Sequence, residues 1–114
     1  MKKTIIVNRD HMIDGCPEDS TFCAIALAVE DSGLVRENES IDVDGAGNIS
    51  VERIADASDQ CCASYETIQF RYITDEMHDD AQAFIAWYDR ATDAEIMSDG
   101  NKMQFSFELE REDM

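Results

Sequence analysis

The sequence predicts an α+β fold: one mainly antiparallel sheet with two helices packed on one face, in the order β-α-β-β-β-α-β. Three observations carry that expectation. Residues 103–110, MQFSFELE, alternate apolar and polar side chains without a break, the period of a half-buried strand. Residues 41–52 alternate on both sides of Gly45-Ala46-Gly47, which is a hairpin pattern. Residues 17–31 and 75–91 repeat their apolar positions at three and four, as helices with one buried face do.

Taken in order, the β-branched run TIIV opens a first strand over residues 3–9. Pro17 suits the first position of the following helix, where its missing N–H is not needed, and Glu18 and Asp19 load that helix's first turn with favourable negative charge. Phe22, Ile25, Ala26 and Val29 form its buried stripe, Cys23 and Leu27 widen it, and Gly33 stops it. In the hairpin, Ile41, Val43, Ile49 and Val51 face the core while Asp42, Asp44 and Ser50 face out. Residues 53–64 read as a loop with a helical turn, and YETIQFRYI (65–73) as one further strand with Ile68, Phe70 and Tyr72 on one side. The second helix turns Ala81, Phe84, Ile85 and Tyr88 inward, with Met77 extending the stripe back one turn. DAEIMSDGNK reads as a polar loop, and the last strand sets Met103, Phe105, Phe107 and Leu109 against the core. There is no internal repeat and no low-complexity stretch.

The 114 residues fit a single domain, 1–114. A chain of that length buries roughly two thirds of the surface its unfolded form exposes. Nothing approaches the ~20 apolar residues of a bilayer span, and the three-residue apolar run after MKK is too short for a signal peptide. The expected location is therefore the cytoplasm, with all four cysteines reduced.

Charge is the extreme feature. Twenty-six Asp and Glu face nine Lys and Arg, a net of −17. Residues 1–35 hold six acids and three bases, and residues 36–114 hold twenty and six. Such a surface repels nucleic-acid phosphate and anionic membrane, and favours basic partners, cations or brine.

The stretch IDVDGAGN places Asp42, Asp44 and Gly47 at the first, third and sixth positions of a calcium loop. The fifth and twelfth positions hold Ala46 and Arg53, and the flanks are strands, so the reading is a tight turn. No metal is expected. Cys16 and Cys23 are six residues apart and Cys61 and Cys62 are adjacent, neither being zinc-knuckle spacing. No cofactor is expected either. Cys16 before a helix start, with His11 five residues upstream, is the one arrangement that suggests a nucleophile, and a loop or capping cysteine explains it as well. Asp75, Glu76, Asp79 and Asp80 cluster at the second helix's start, which the helix dipole favours. With Glu108, Glu110, Glu112 and Asp113 they are candidates for one anionic docking face.

CPEDSTFCAIALAVEDSG, a hairpin, DAQAFIAWYDR and the closing FSFELE together resemble a loosely defined group of small uncharacterised bacteriophage proteins. Members share a Cys-Pro/Ala-rich first helix, a Phe-Ile-x-x-Tyr-Asp second helix and a Phe-x-Phe-x-Leu strand. The resemblance covers about two thirds of the chain, mostly at core positions, so it speaks to fold. This chain departs from the pattern at 53–64 and 91–102. The resemblance implies an accessory protein working in the host cytoplasm during infection, and brings no catalytic residues.

The function expected is thus non-catalytic binding of a basic host protein, one that itself binds nucleic acid, with the acids imitating phosphate. Two alternatives stand beside it. One is a small-ligand binder or Cys-based enzyme using Cys16 and His11. The other is a haloadapted protein whose acidity only serves solubility. Exposed strand edges in so small a sheet also allow a homodimer.

Overall fold

A computed structural model of the chain describes residues 2–17, 19–54 and 65–111. Along them run β1 (Lys2–Val7), α1 (Arg9–Asp14), α2 (Ala24–Asp31), β2 (Glu39–Val43), β3 (Ile49–Ile54), β4 (Tyr65–Gln69), β5 (Arg71–Tyr72), α3 (Asp75–Tyr88), α4 (Asp93–Asp99) and β6 (Phe105–Glu110). The fold is α+β and its strand pairs are antiparallel, as expected. The single sheet with two helices is corrected: the described residues form two three-stranded sheets, β1-β6-β5 and β2-β3-β4, with four helices.

The split occurs at Phe70, inside what reads in sequence as one strand. Its amide still bonds the Ile49 carbonyl of β3 at 2.9 Å. The next two residues have left that sheet, and Arg71 and Tyr72 pair with Glu110 and Leu109 of β6. Alternation survives the crossing. Phe70 is buried, and the Tyr72 ring packs on Phe107, 5.2 Å between centroids.

The first predicted helix is shortened from 17–31 to 24–31. Asp19 accepts bonds from the Thr21 amide (3.0 Å) and hydroxyl (2.9 Å), and the Cys16 amide bonds the Phe22 carbonyl at 2.7 Å. These local bonds offer the backbone an alternative to the helix. Phe22, expected in the core, is 47% exposed, and Cys23 becomes the N-cap.

The two added helices are short and capped by side chains. In α1, Asn8 accepts from the His11 amide while the His11 ring accepts from the Asn8 amide, a capping box with histidine in the third helical position. In α4, Thr92 and Glu95 form the ordinary version. Each buries one large apolar residue, Met12 and Ile96 respectively.

The expected core is otherwise in place. Ile41, Val43, Ile49 and Val51 are buried on one face of their sheet, and Ile5, Val7, Phe107 and Leu109 on one face of the other. Helix α3 keeps its predicted start, ends at Tyr88, and lays Phe84 against Phe105 at 4.9 Å between ring centroids. Of the loop expected at 53–64, Arg53 and Ile54 instead end β3, and residues 55–64, with Cys61 and Cys62, lie outside the described residues, as do Glu18, Glu112 and Asp113.

Candidate functional site

The acids at the start of α3 are set by capping. Thr74, in extended backbone, accepts from the Met77 amide at 3.2 Å and launches the helix, so residues 75, 76, 79 and 80 follow on its first two turns. Asp75, Glu76, Asp79 and Asp80 are all exposed, and none meets a base at ion-pair distance among the described residues.

Glu108 and Glu110 do not join them. Phe105, Phe107 and Leu109 turn toward α3, so alternation along β6 turns Glu108 and Glu110 to the opposite face of the sheet. There Lys2 lies 3.9 Å from Glu108, and Arg71 pairs with Glu110. The link between the two groups is a backbone one. Beyond the two-residue strand β5, the Glu108 amide at the sheet edge donates to the Met77 sulfur at 3.4 Å.

The hairpin turn uses its own carboxylate. Asp44 accepts from the amides of Ala46 and Asn48, both at 2.9 Å, and from the Asn48 side chain at 3.1 Å. Desolvation by the surrounding turn tends to raise its carboxyl, but the Asn48 and Ala46 donors outweigh that and hold it below the ordinary range. Gly47 takes φ +84°, where glycine is at ease. The turn's carbonyls dock on β5 and α3: Tyr72 donates its hydroxyl to Gly47 at 2.7 Å, and His78, stacked on Tyr72 at 4.8 Å, bonds Ala46 at 2.9 Å. No group of three metal-ligating side chains occurs among the described residues.

Both histidines are therefore engaged. His11 caps α1 through Nδ1 and bonds Asp31 through Nε2 at 2.6 Å, so neither ring nitrogen is directed at Cys16, which is exposed. Cys23 is buried, and burial pushes its thiol above the ordinary range despite the α2 amides beside it.

One concavity was not anticipated from sequence. A cleft of ≈ 200 Å³ opens between the start of α2, the end of β2 and the last turns of α3, with Asp19, Asp44 and Asp89 among its lining. Its parts come from three separate segments, 19–25, 43–45 and 84–89, and only the fold assembles them. The Tyr88 hydroxyl points away, donating to the Met12 carbonyl at 2.9 Å, and its burial raises the phenol.

No family model, curated protein or solved structure matches this chain.

Proposed function

We propose that this chain is a non-enzymatic acidic binding protein, of the kind made during phage infection, that occupies the basic surface of a host nucleic-acid-binding protein. The observation behind it is the open row Asp75, Glu76, Asp79 and Asp80 on a chain of net charge −17. These carboxylates stand on a rigid, capped helix and stay hydrated, so they attract a basic partner at long range and lose that attraction as salt rises. Glu108 and Glu110 are already matched by Lys2 and Arg71 and contribute less. The engagement of both histidines and the raised Cys23 thiol support a role without catalysis.

The test is capture from bacterial lysate on the immobilised chain at about 0.05 and 0.5 M salt. A variant with Asp75→Asn, Glu76→Gln, Asp79→Asn and Asp80→Asn runs alongside. The expected partner is basic, binds the parent at low salt, is displaced by duplex DNA and ignores the variant. A partner held equally by parent and variant at both salts overturns the reading.

Haloadaptation is favoured by a different observation. Acids also dot other exposed surfaces: Asp10 and Asp14 on α1, Asp42 and Glu52 on the outer face of the hairpin sheet, and Asp93 and Glu95 on α4. On that reading the protein unfolds in dilute buffer, refolds in molar KCl and captures nothing.

A further inference from the structure

The cleft beside Cys23 has a floor and a rim of opposite character. Ile25, Val43, Phe84 and Ile85 are buried and give it an apolar bed. Asp19 and Asp44 are exposed and Asp89 is half-buried, which places the three carboxylates toward its mouth. No Lys, Arg or His side chain lines it among the described residues. The start of α2 brings about half a positive charge nearby, which the Asp19 and Asp44 carboxylates outweigh. An apolar cavity of about 150 Å³ takes a benzene ring, so this cleft has room for one ring and a short arm.

We propose that the cleft binds a small organic ammonium ion, its apolar body on Ile25, Val43, Phe84 and Ile85 and its cationic head among Asp19, Asp44 and Asp89. Two of the rim carboxylates are built to stay ionised. The Thr21 amide and hydroxyl hold Asp19 below the ordinary carboxylate range, and the hairpin amides do the same for Asp44. A carboxylate keeps free lone pairs after accepting such bonds, so it still receives an N–H donor from a ligand. The Cys23 thiol at the bed is neutral and adds polarisable surface without competing charge. A single acidic patch attracts any cation. An apolar bed next to it selects cations that carry a hydrophobic body.

This site uses the last turns of α3, centred about 14 Å along the helix axis from the docking face proposed above. The test uses the full chain and three probes of one shape at constant ionic strength: phenethylammonium, 2-phenylethanol and 3-phenylpropionate. Binding is followed by amide chemical shifts. The expected result is saturable binding of phenethylammonium with shifts centred on residues 43–45 and 84–89. The alcohol binds about tenfold more weakly and the acid not at all. Asp89→Asn weakens the ammonium about fivefold and leaves the alcohol unchanged. Gly45 lines the cleft, with open space beyond its Cα and no positive φ, so Gly45→Phe is expected to be tolerated by the fold and to weaken ammonium binding. The four-fold amide variant of α3 keeps full ammonium binding, which separates this site from general attraction to an acidic protein. Equal binding of all three probes, shifts centred elsewhere, loss of binding in the α3 variant, or no saturation overturns the proposal.

Discussion

Arg111 and Glu39 stand 72 residues apart in the chain and meet as a doubly hydrogen-bonded ion pair whose side chains are wholly buried. Arg111 directly follows β6 of one sheet, and Glu39 opens β2 of the other, so the pair ties the two sheets together. Its polar capacity is well used. Arg111 also donates to the Leu34 carbonyl at 2.7 Å and lies over the Phe70 ring, while Glu39 accepts from the Arg36 amide at 2.8 Å and has Arg53 at 3.7 Å. Breaking such a pair by removing one partner strands a buried charge. Arg111→Met is expected to cost about 3–5 kcal/mol in urea denaturation, and Arg111→Met with Glu39→Leu distinctly less than the two single changes summed.

The same pair sets an acid limit. The Arg111 hydrogen bond holds the Glu39 carboxyl below its ordinary range, so the folded chain binds that proton more weakly than the unfolded one. The resulting stability is complete above the unfolded carboxyl's pKa of about 4.3 and is lost as pH falls through the lowered folded value. The urea midpoint of the parent is expected to drop below about pH 4.3, and that of Glu39→Gln, lower throughout, to change less over the same range.

Charge in α3 trades stability against its proposed role. Asp75 and Asp79, like Glu76 and Asp80, repel at helical spacing four. Asp79→Lys converts one repulsion into an attraction and is expected to stabilise the fold by a few tenths of a kcal/mol. It is expected to weaken capture of a basic partner at the same time. Added salt, which screens such repulsion over about 10 Å at 0.1 M, is expected to raise the melting temperature of the parent more than that of the variant.

The hairpin tip docks through backbone carbonyls, which makes Gly47 hard to replace. A Cβ there meets the Gln82 side chain at 3.3 Å in a left-handed conformation. Gly47→Ala is expected to cost about 1–2 kcal/mol. Tyr72→Phe, which leaves the Gly47 carbonyl without its hydroxyl donor, is expected to cost about 1 kcal/mol. Thermal denaturation of both variants checks these values.

Cysteine chemistry separates the binding reading from the enzymatic one. Cys16 is exposed and Cys23 is buried with a raised thiol. Mild iodoacetamide, followed by mass spectrometry of peptides, is expected to label Cys16 ahead of Cys23, at the rate of an ordinary exposed thiol. His11→Ala is expected to leave the Cys16 rate unchanged, since the ring bonds Asn8 and Asp31. A marked slowing in that variant restores the nucleophile reading.

Period-two and period-three-four patterns were readable because each buried face is long enough to repeat. Ile41 to Val51, Phe105 to Leu109 and the stripe of α3 all fall where their spacing places them. Short elements left no such trace. Helix α1 has six residues, and its capping partner is His11, where glutamate or glutamine is the usual sign. Helix α4 carries the ordinary signature, Thr92 with Glu95, which a reading weighted to apolar repeats passes over. The change of sheet at Phe70 is invisible to periodicity, because the alternation of faces continues unbroken through it. The anionic face was legible at α3, where neighbours in space are neighbours in sequence. The strand acids required a partner strand to be known before their ion pairs with Lys2 and Arg71 appeared.

The pairing of β1 with β6 has a consequence for how the chain comes into being. Lys2 to Val7 find their hydrogen-bonding partners only in residues 105–110. During synthesis the first strand therefore waits, with Ile5 and Val7 unsheltered, while about a hundred residues emerge. The hairpin sheet, whose partners are local, forms meanwhile, and closure of the other sheet becomes the slow, final step of folding.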